Sequence, residues 1–514
     1  MLSSSAGAGT GVAPEADVVV VGAGLSGLAA ADRLTRAGLR VTVVEAGGAV
    51  GGRMSTDHLD GYRLDRGTGI LDPGAGAAFA QLSALDALVL RPFSSGAVLC
   101  AEGAAHRLGG GRSGTRLPRQ VGTARDEGER AYQGRTRGAL WTARAFTTAR
   151  SKAAVSDALE VARLHATLAR LASLPARELG ARPELPLAEA LSSAERRRRP
   201  VGAARVLALP HTARFPTAEA RTPDGPRPQG AYGPTRTADT LLRAFLTSLL
   251  SDPGLTTSTR VADAALRSFA REGLWMPAGG LAAVPELLAA ALPAGTVHTG
   301  VRVRSVTTNA VVTEEHGTLA CRAVLVATEA RSAAALLPGL RTPHFHPLTV
   351  LHHAAPEPPA HGSALLVDAE GPTRSRAPRG PVSHTWSATA VDPSRALPGR
   401  HLVSSVVLGG AATEPTGVLD KAARPQLAAL HGLDAERWEL LAAHHDPQAV
   451  PAMPAPHDPH RPVRVLSGLY VCGDHRDTGS AAGALASAER AGREILRDFG
   501  VPEPAADGAL HAVA

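Results

Sequence analysis

The fold is decided by the stretch Ala16–Glu45, which reads ADVVVVGAGLSGLAAADRLTRAGLRVTVVE. It opens with a run of valines, within 16–21, that is typical of a parallel strand buried on both faces. An alanine-rich segment, 28–37, predicts a helix, and Gly38 stands where a helix commonly ends in a left-handed residue. Because 40–45 reads as a second strand of the same kind, the stretch predicts a strand–helix–strand unit of an α/β fold.

The turn between the first strand and the helix carries the pattern G-x-G-x-x-G at 22–27. Gly22 permits the tight turn, Gly24 lets a pyrophosphate approach the backbone, and Gly27 allows the helix to pack closely on the strand. The helix N-terminus offers N–H groups and the positive end of its dipole to phosphates. Glu45 ends the second strand, where its carboxylate accepts ribose hydroxyls and repels a 2′-phosphate. The pattern therefore predicts a dinucleotide site that disfavours NADP.

Length and composition exclude several classes of protein. The chain has 514 residues, which is enough for about two or three domains, and a formal net charge of +7. The arginines are scattered and form no basic stripe with interleaved aromatic residues, so no nucleic-acid partner is expected. Cys100, Cys321 and Cys472 are far apart in the sequence, which argues against a redox-active disulfide or a zinc cluster.

Targeting and membrane signals are also missing from the sequence. Residues 1–15 lack the charged and apolar regions of a secretory signal, and we expect a short disordered leader there. No apolar run reaches the ~18 residues of a membrane span. The expected compartment is the cytoplasm, and the basic net charge leaves a peripheral membrane contact open.

Three further stretches indicate which of the two common dinucleotides, FAD or NAD, the chain binds. The segment 46–53 reads AGGAVGGR, and 62–69 reads YRLDRGTG. Near the C-terminus, 468–474 reads GLYVCGD, a strand that leads into a helix over 480–496. Together with the first unit, these stretches resemble the flavin amine oxidase, phytoene desaturase and protoporphyrinogen oxidase superfamily. The resemblance implies FAD, bound non-covalently because the family's covalent-flavin cysteine motif is absent.

The resemblance also assigns roles to individual residues. Arg53 is expected to run along the pyrophosphate, which a planar guanidinium suits. Asp474 is expected at the ribityl and pyrophosphate region. The segment 299–307 is predicted to be one strand, in which Val303 is expected to present its backbone to adenine. The start of the C-terminal helix would stabilise negative charge on the reduced flavin ring. The residues expected to contact FAD are Gly22, Ala23, Gly24, Leu25, Ser26, Gly27, Glu45, Ala46, Gly51, Gly52, Arg53, Gly69, Ile70, Val303, Thr328, Gly473, Asp474, Ala482, Gly483 and Ala484.

Two positions depart from the family pattern. Ser487-Ala488 stands where the family commonly has Ser-Gly, and Glu329 replaces the glycine that usually follows Ala327-Thr328. The first change does not touch the predicted pyrophosphate site.

The expected fold class is α/β, with a Rossmann-type FAD-binding domain, a parallel sheet with flanking helices, and a mixed-sheet α+β substrate domain. The chain passes between them several times. We expect the FAD-binding domain at 16–75, 241–335 and 465–498, and a tail at 499–514. The substrate side takes 76–240, with an irregular insertion at 193–236, and 336–464.

The function predicted from these features is that of an FAD-dependent oxidoreductase. It would take a hydride or electron pair from a small, hydrophobic substrate, and the sequence leaves the electron acceptor open. Amine oxidases of the superfamily use a lysine near the flavin and an aromatic cage, but the only lysines are Lys152 and Lys421 and aromatic residues make up 3% of the chain. An FAD-dependent isomerase without net redox change, an amine oxidase and a non-catalytic flavin-binding protein remain alternatives.

Histidines are the remaining candidates for chemistry. The adjacent residues His352 and His353 should point to opposite faces of a strand, and we interpret both as ordinary polar or exposed residues rather than metal ligands. His475 directly follows the Gly473-Asp474 turn, so a proton-shuttle role is a hypothesis for it. No metal site is expected.

Overall fold

The computed structural model describes residues 16–94, 96–101, 104–109, 152–196, 236–370 and 379–503. The predicted leader, the tail from 504 onward and the part 197–235 of the predicted insertion lie outside these residues. The strands are β1 Val18–Val21, β2 Val41–Glu45, β3 Thr56–Leu59, β4 Tyr62–Asp65, β5 Leu90–Pro92, β6 Ala97–Ala101, β7 Ala104–Leu108, β8 Trp275–Pro277, β9 Val297–Thr299, β10 Val303–Val306, β11 Ala310–Thr313, β12 Thr318–Ala320, β13 Ala323–Val326, β14 Phe345–Ala355, β15 Leu365–Asp368, β16 Val382–Ser387, β17 His401–Leu408, β18 Glu439–Pro451, β19 Arg464–Leu466 and β20 Leu469–Val471. The α-helices are α1 Leu25–Arg36, α2 Ala75–Phe79, α3 Lys152–Ser173, α4 Ala176–Gly180, α5 Leu187–Arg196, α6 Arg236–Leu250, α7 Thr259–Glu272, α8 Ala283–Ala290, α9 Ala330–Leu336, α10 Ala388–Val391, α11 Thr416–His431 and α12 Ala481–Phe499.

A six-stranded sheet has the order β19-β20-β13-β1-β2-β9. Its strands run parallel except β19, which pairs antiparallel at the edge. In the central strand β1, Val18 and Val20 pack toward α1 and α12, whereas Val19 and Val21 pack toward β11 and α9. Both faces of the strand are therefore covered, which explains why the sequence shows an uninterrupted valine run rather than an alternation. This sheet is the predicted Rossmann-type unit.

The segment 299–307, which the sequence predicts to be one strand, is divided between two sheets. Thr299 ends β9 beside Glu45, and Val303 begins a hairpin sheet of order β10-β11-β12. The break lies at Gly300, whose φ of +73° is left-handed and whose N–H donates to the carbonyl of Gly47. A left-handed residue cannot continue an extended strand, so the chain turns there and leaves the parallel sheet.

The second large sheet has seven strands in the order β18-β14-β17-β16-β15-β6-β7. Its pairs are antiparallel except β15 with β6, so the sheet is mixed, as predicted. One face packs on α3, α6 and α7, and the other packs on α11. The helices α6 and α7 thus belong to this larger core, although the predicted second FAD-binding segment begins at residue 241.

A buried ionic network joins the parts of the molecule that are built on the six-stranded and the seven-stranded sheet. The guanidinium of Arg395, which is 1% exposed, lies 2.7 Å from the Oδ2 of Asp65 and 3.3 Å from the Oδ2 of Asp392. The two carboxylates also accept hydrogen bonds from the N–H groups of Leu281 and Gly279, both at 2.8 Å. The network fixes the glycine turn after β8 against β4 and against the loop after α10.

Within the part of the chain that the structure describes, no helix combines the length and the apolar composition that a membrane crossing requires.

Candidate active site

A cavity of about 1420 Å³ lies where the carboxyl ends of β1, β2 and β13 face the seven-stranded sheet. Small-molecule pockets usually measure about 300–1000 Å³, so this volume suits a dinucleotide together with a second ligand. The carboxyl ends of parallel strands are also where open α/β sheets bind their ligands. We therefore treat this cavity as the candidate active site.

The glycine turn forms one wall of the cavity. Gly22 has a φ of +107°, and a Cβ there would lie 3.0 Å from the carbonyl oxygen of Ala327. A Cβ on Gly27 would lie 2.0 Å from the carbonyl oxygen of Gly22, so the helix and the strand pack as closely as predicted. Gly24 faces open space and caps α1 without any side-chain hydrogen bond. The first N–H groups of α1 therefore have no side-chain partner, which suits an incoming phosphate.

Glu45 is held rigidly at the end of β2. Its Oε2 accepts a hydrogen bond from the N–H of Ala23 and its Oε1 accepts one from the N–H of Gly47, both at 2.8 Å. A carboxylate has about four acceptor positions, so two remain for ribose hydroxyls on the cavity side. The backbone thus fixes the orientation that ribose recognition needs.

Arg53 and Asp474 meet across the cavity from opposite ends of the chain. The Nη2 of Arg53 lies 2.8 Å from the Oδ2 of Asp474, and its Nη1 donates to the carbonyl of Ala449 at 2.9 Å. Burial alone would raise the pKa of Asp474, but the nearby charge of Arg53 holds it below its ordinary value. The pair therefore stays ionised and joins the two stretches that the sequence assigned to one cofactor.

Most residues predicted to contact the cofactor line this cavity. They are Gly22, Gly24, Leu25, Ser26, Glu45, Ala46, Gly51, Gly52, Arg53, Ile70, Val303, Thr328, Gly473, Asp474, Ala482 and Ala484. Four predicted residues do not line the cavity: Ala23, Gly27, Gly69 and Gly483. They lie in the backbone behind the cavity wall. A Cβ on Gly483, for example, would lie 2.2 Å from the carbonyl oxygen of Thr478.

The structure places His475 outside the cavity lining. Its side chain is buried beside Gly473, and neither ring nitrogen has a hydrogen-bond partner among the described residues. The Nδ1 atom lies 3.9 Å from the Oδ1 of Asp474. The proton-shuttle role remains a prediction, and no contact in the described residues supports it.

The start of α12 is already engaged by a carboxylate that the sequence did not single out. The Oδ1 of Asp72 accepts a hydrogen bond from the N–H of Ala481 at 2.7 Å, and the Oγ of Ser480 accepts one from the N–H of Gly483 at 2.9 Å. Asp72 and Glu272 both line the cavity. The predicted stabilisation of a reduced flavin by free N–H groups at this helix start is therefore weakened, because Asp72 already accepts from one of them.

Asp72 gives the protein a testable pH dependence. Burial raises the pKa of Asp72 to about 6, although N–H groups of Ala481 and Ala482 oppose the rise. Because the folded pKa exceeds the unfolded value, the ionised carboxylate costs stability above pH 6, and that cost disappears as the pH falls from 6 to 4. We expect Asp72→Asn to raise the midpoint of thermal unfolding by about 2 °C at pH 8 and to change it little at pH 4.

The matched control is Asp60→Asn, because Asp60 is exposed at a turn with a φ of +47° that asparagine also adopts. It should leave the midpoint unchanged at both pH values. An Asp72→Asn variant that is less stable than the wild type at pH 8 would contradict the prediction.

The end of the cavity next to the seven-stranded sheet is mainly apolar. It is formed by α6, α7, β14, β15, β16 and β18. Its apolar side chains include Leu249, Leu250, Val261, Leu274, Leu348, Leu365 and Val450, and its polar ones include Glu272, His384, His444 and Asp446. Among the described residues, no lysine, phenylalanine, tyrosine or tryptophan lines the cavity. Lys421 is exposed on α11. The lysine and aromatic cage implied by an amine oxidase are thus missing from the described wall.

The histidine pair in β14 divides between the two faces of the sheet, as predicted. His352 is bonded to the backbone carbonyl of Asp65 and to the hydroxyl of Ser404, and His353 lies 2.9 Å from the carboxylate of Asp420. The expectation that both are ordinary polar or exposed residues is wrong with respect to exposure, because both are buried. Their partners show that they hold the sheet to its neighbours rather than bind a metal, and the described residues hold no cluster of metal ligands.

Comparisons with known proteins relate the chain to flavin-containing oxidoreductases. The family model described as flavin containing amine oxidoreductase matches residues 25–496. A phytoene desaturase from Fusarium fujikuroi is 46% identical over 54 residues, 10% of each chain. Polyamine oxidase 1 from Oryza sativa subsp. japonica is 56% identical over 59 residues, 11% of this chain and 12% of the relative. The matches thus span about a tenth of the curated relatives' length.

Among solved structures, an oxidoreductase from Methanosarcina mazei superposes with a TM-score of 0.59 at 18% identity, covering 92% of this chain and 99% of that one. At this identity the superposition shows that the fold is shared.

Proposed function

Because the chain belongs to the family of flavin-containing amine oxidoreductases, we propose that it is an FAD-dependent oxidoreductase acting on an apolar substrate. One observation carries the choice of substrate: the apolar end of the cavity opens into the dinucleotide-binding turn, and no lysine, phenylalanine, tyrosine or tryptophan lines it among the described residues. A substrate placed there would contact mainly leucine, valine and alanine side chains, with a few polar groups such as His384 and His444 among them. The match to a phytoene desaturase agrees with such a substrate.

The residues present fit FAD. The uncapped start of α1 suits the pyrophosphate, Glu45 suits the ribose, and the Arg53–Asp474 pair suits the middle of the dinucleotide. When bound, FAD supplies an acceptor for a hydride or an electron pair. The protein provides orientation of both molecules and a wall that excludes water from the apolar end.

In this proposal the apolar wall of the cavity excludes water from the substrate. The side chains of Leu348 and Leu365 project from β14 and β15 into the cavity, and Leu249 and Leu274 close it from the helical side. Removing water prevents competing proton exchange and strengthens the electrostatic interactions in the site. No second strand-linked G-x-G-x-x-G stands in the sequence, so we expect the reoxidising acceptor to be oxygen, a quinone or another carrier rather than a nicotinamide.

A second candidate function is the oxidation of an amine. The carboxyl groups of Asp72 and Glu272 both line the cavity, and a pair of acidic groups suits a cationic substrate. Polyamine oxidase 1 from rice is among the relatives. The missing lysine and aromatic cage count against this candidate.

Anaerobic titration of the FAD-loaded protein separates these candidates. We expect phytoene or a porphyrinogen to bleach the visible absorption of the oxidised flavin and putrescine to leave it unchanged. Stoichiometric bleaching by putrescine would overturn the apolar proposal in favour of the amine. Conversion of a substrate without acceptor consumption would identify an isomerase instead. We also expect acid denaturation to release all the FAD into the supernatant, because the bond to the protein is non-covalent.

A further inference from the structure

His384 is a hydrogen-bonding group in the apolar end of the cavity that the proposed function leaves unused. It lies on β16, lines the cavity and is 2% exposed. Its ring stacks on Trp386, with centroids 6.1 Å apart and planes at 19°. A β-bulge between Val382 and His384 leaves Ser383 without a partner on β17, and such bulges re-aim neighbouring side chains.

The direction of each hydrogen bond near His384 follows from one fixed donor. The hydroxyl of Ser248 donates to the backbone carbonyl of Ala244 at 3.0 Å, and a carbonyl can only accept. The contact of 3.1 Å between the hydroxyls of Ser248 and Ser383 must therefore be donated by Ser383. The Ser383 oxygen is then the acceptor in its 3.3 Å contact with the Nδ1 of His384.

This chain of bonds places the ring proton of His384 on Nδ1. Burial lowers the pKa of His384 to about 3, so the imidazole is neutral at physiological pH. A neutral imidazole with its proton on Nδ1 has an unprotonated Nε2, which is an acceptor. No residue in the described part of the chain donates to that Nε2, although the ring lines the cavity.

We propose that the Nε2 of His384 accepts a hydrogen bond from a hydroxyl or N–H group of the substrate. This inference rests on the proposed function and narrows it: the substrate is an apolar molecule that carries a hydrogen-bond donor, such as the pyrrole N–H groups of a porphyrinogen, and is not a hydrocarbon such as phytoene. His384 then determines specificity, and Ser383 acts as a positioning residue that sets the tautomer. Ser383 is not among the residues that line the cavity, so its effect passes through the His384 ring.

A matched pair of probes tests the inference by direct binding. Retinol has a hydroxyl donor on a polyene, whereas retinyl methyl ether has the same polyene without a donor. Titration of the FAD-loaded protein, followed by probe fluorescence, should show retinol binding about 10-fold more tightly, which is the effect of one neutral hydrogen bond. His384→Leu should lose this preference by weakening retinol binding and leaving the ether bound.

Ser383→Ala is the second variant, because it removes the acceptor that holds the ring proton on Nδ1 without entering the cavity. It should reduce the preference for retinol while retaining FAD and the thermal midpoint. His460→Leu, at an exposed position, is the control and should keep the wild-type preference.

Three results would overturn the inference: equal binding of the two probes to the wild type, no binding of either probe, or an unchanged preference in both His384→Leu and Ser383→Ala. The flavin titration with phytoene and putrescine decides the proposed function separately. Bleaching by phytoene together with equal probe binding would retain that function and reject the donor requirement.

Discussion

Replacing Arg395 by methionine is expected to lower the free energy of unfolding by about 3–5 kcal/mol, because Asp65 then stays buried without its cation and Asp392 keeps only Arg91, 3.8 Å away. The Arg395 guanidinium lies 2.7 Å from Asp65 and 3.3 Å from Asp392. All three side chains are at most 2% exposed. Methionine fills much of the same volume, so the loss should come from unpaired charge more than from a cavity.

Urea denaturation followed by circular dichroism measures this effect. The control is Arg493→Met, because the Arg493 side chain is 49% exposed and its pair with Glu489 is a surface pair. Such pairs contribute about 0–1 kcal/mol. Adding Asp65→Asn and Asp392→Asn to Arg395→Met should recover part of the stability, since the uncompensated charge is then removed. A loss below about 1 kcal/mol in the single variant would show that the network is dispensable.

The strand–helix–strand unit could be predicted from the sequence because its chemistry is local. The valine run, the glycine turn and Glu45 lie within thirty residues, and each constrains its neighbours through backbone geometry. The structure places β1, α1 and β2 at 18–21, 25–36 and 41–45. Gly22 and Gly27 make the close approaches that the pattern requires. The sequence predicts one strand over 299–307, but the left-handed residue Gly300 divides this segment between two sheets.

The rest of the site depends on contacts that no sequence spacing reveals. Arg53 and Asp474 were each predicted at the cofactor through the family resemblance, but their ion pair forms only when β2 and β20 enter one sheet. Asp72 accepts a hydrogen bond at the start of α12, although 409 positions of sequence separate it from Ala481. His384 is aimed into the cavity by a bulge, which depends on the pairing of β16 with β17. These are properties of the packed molecule.

The pair Arg53–Asp474 carries the largest expected effect on cofactor binding. We expect Asp474→Ala to weaken FAD affinity by about 100-fold, or about 3 kcal/mol, since truncating one partner of a hydrogen-bonded charge pair leaves the other unpaired. Asp474→Asn keeps the shape of the side chain, so its FAD affinity should lie between those of the wild type and of Asp474→Ala. Fluorescence titration of the FAD-free protein with FAD measures the affinities, and Asp57→Ala, at the surface pair with Arg66, is the control.

A double-mutant cycle with Arg53→Ala shows whether the pair acts as a unit. If Arg53 holds the dinucleotide only while Asp474 orients it, the double variant should bind FAD about as weakly as either single variant. Additive losses would mean that each side chain contacts FAD independently. A loss of less than threefold in Asp474→Ala would contradict the view that stretches from both ends of the chain hold one flavin. The cavity would then bind it through the α1 turn and Glu45 alone.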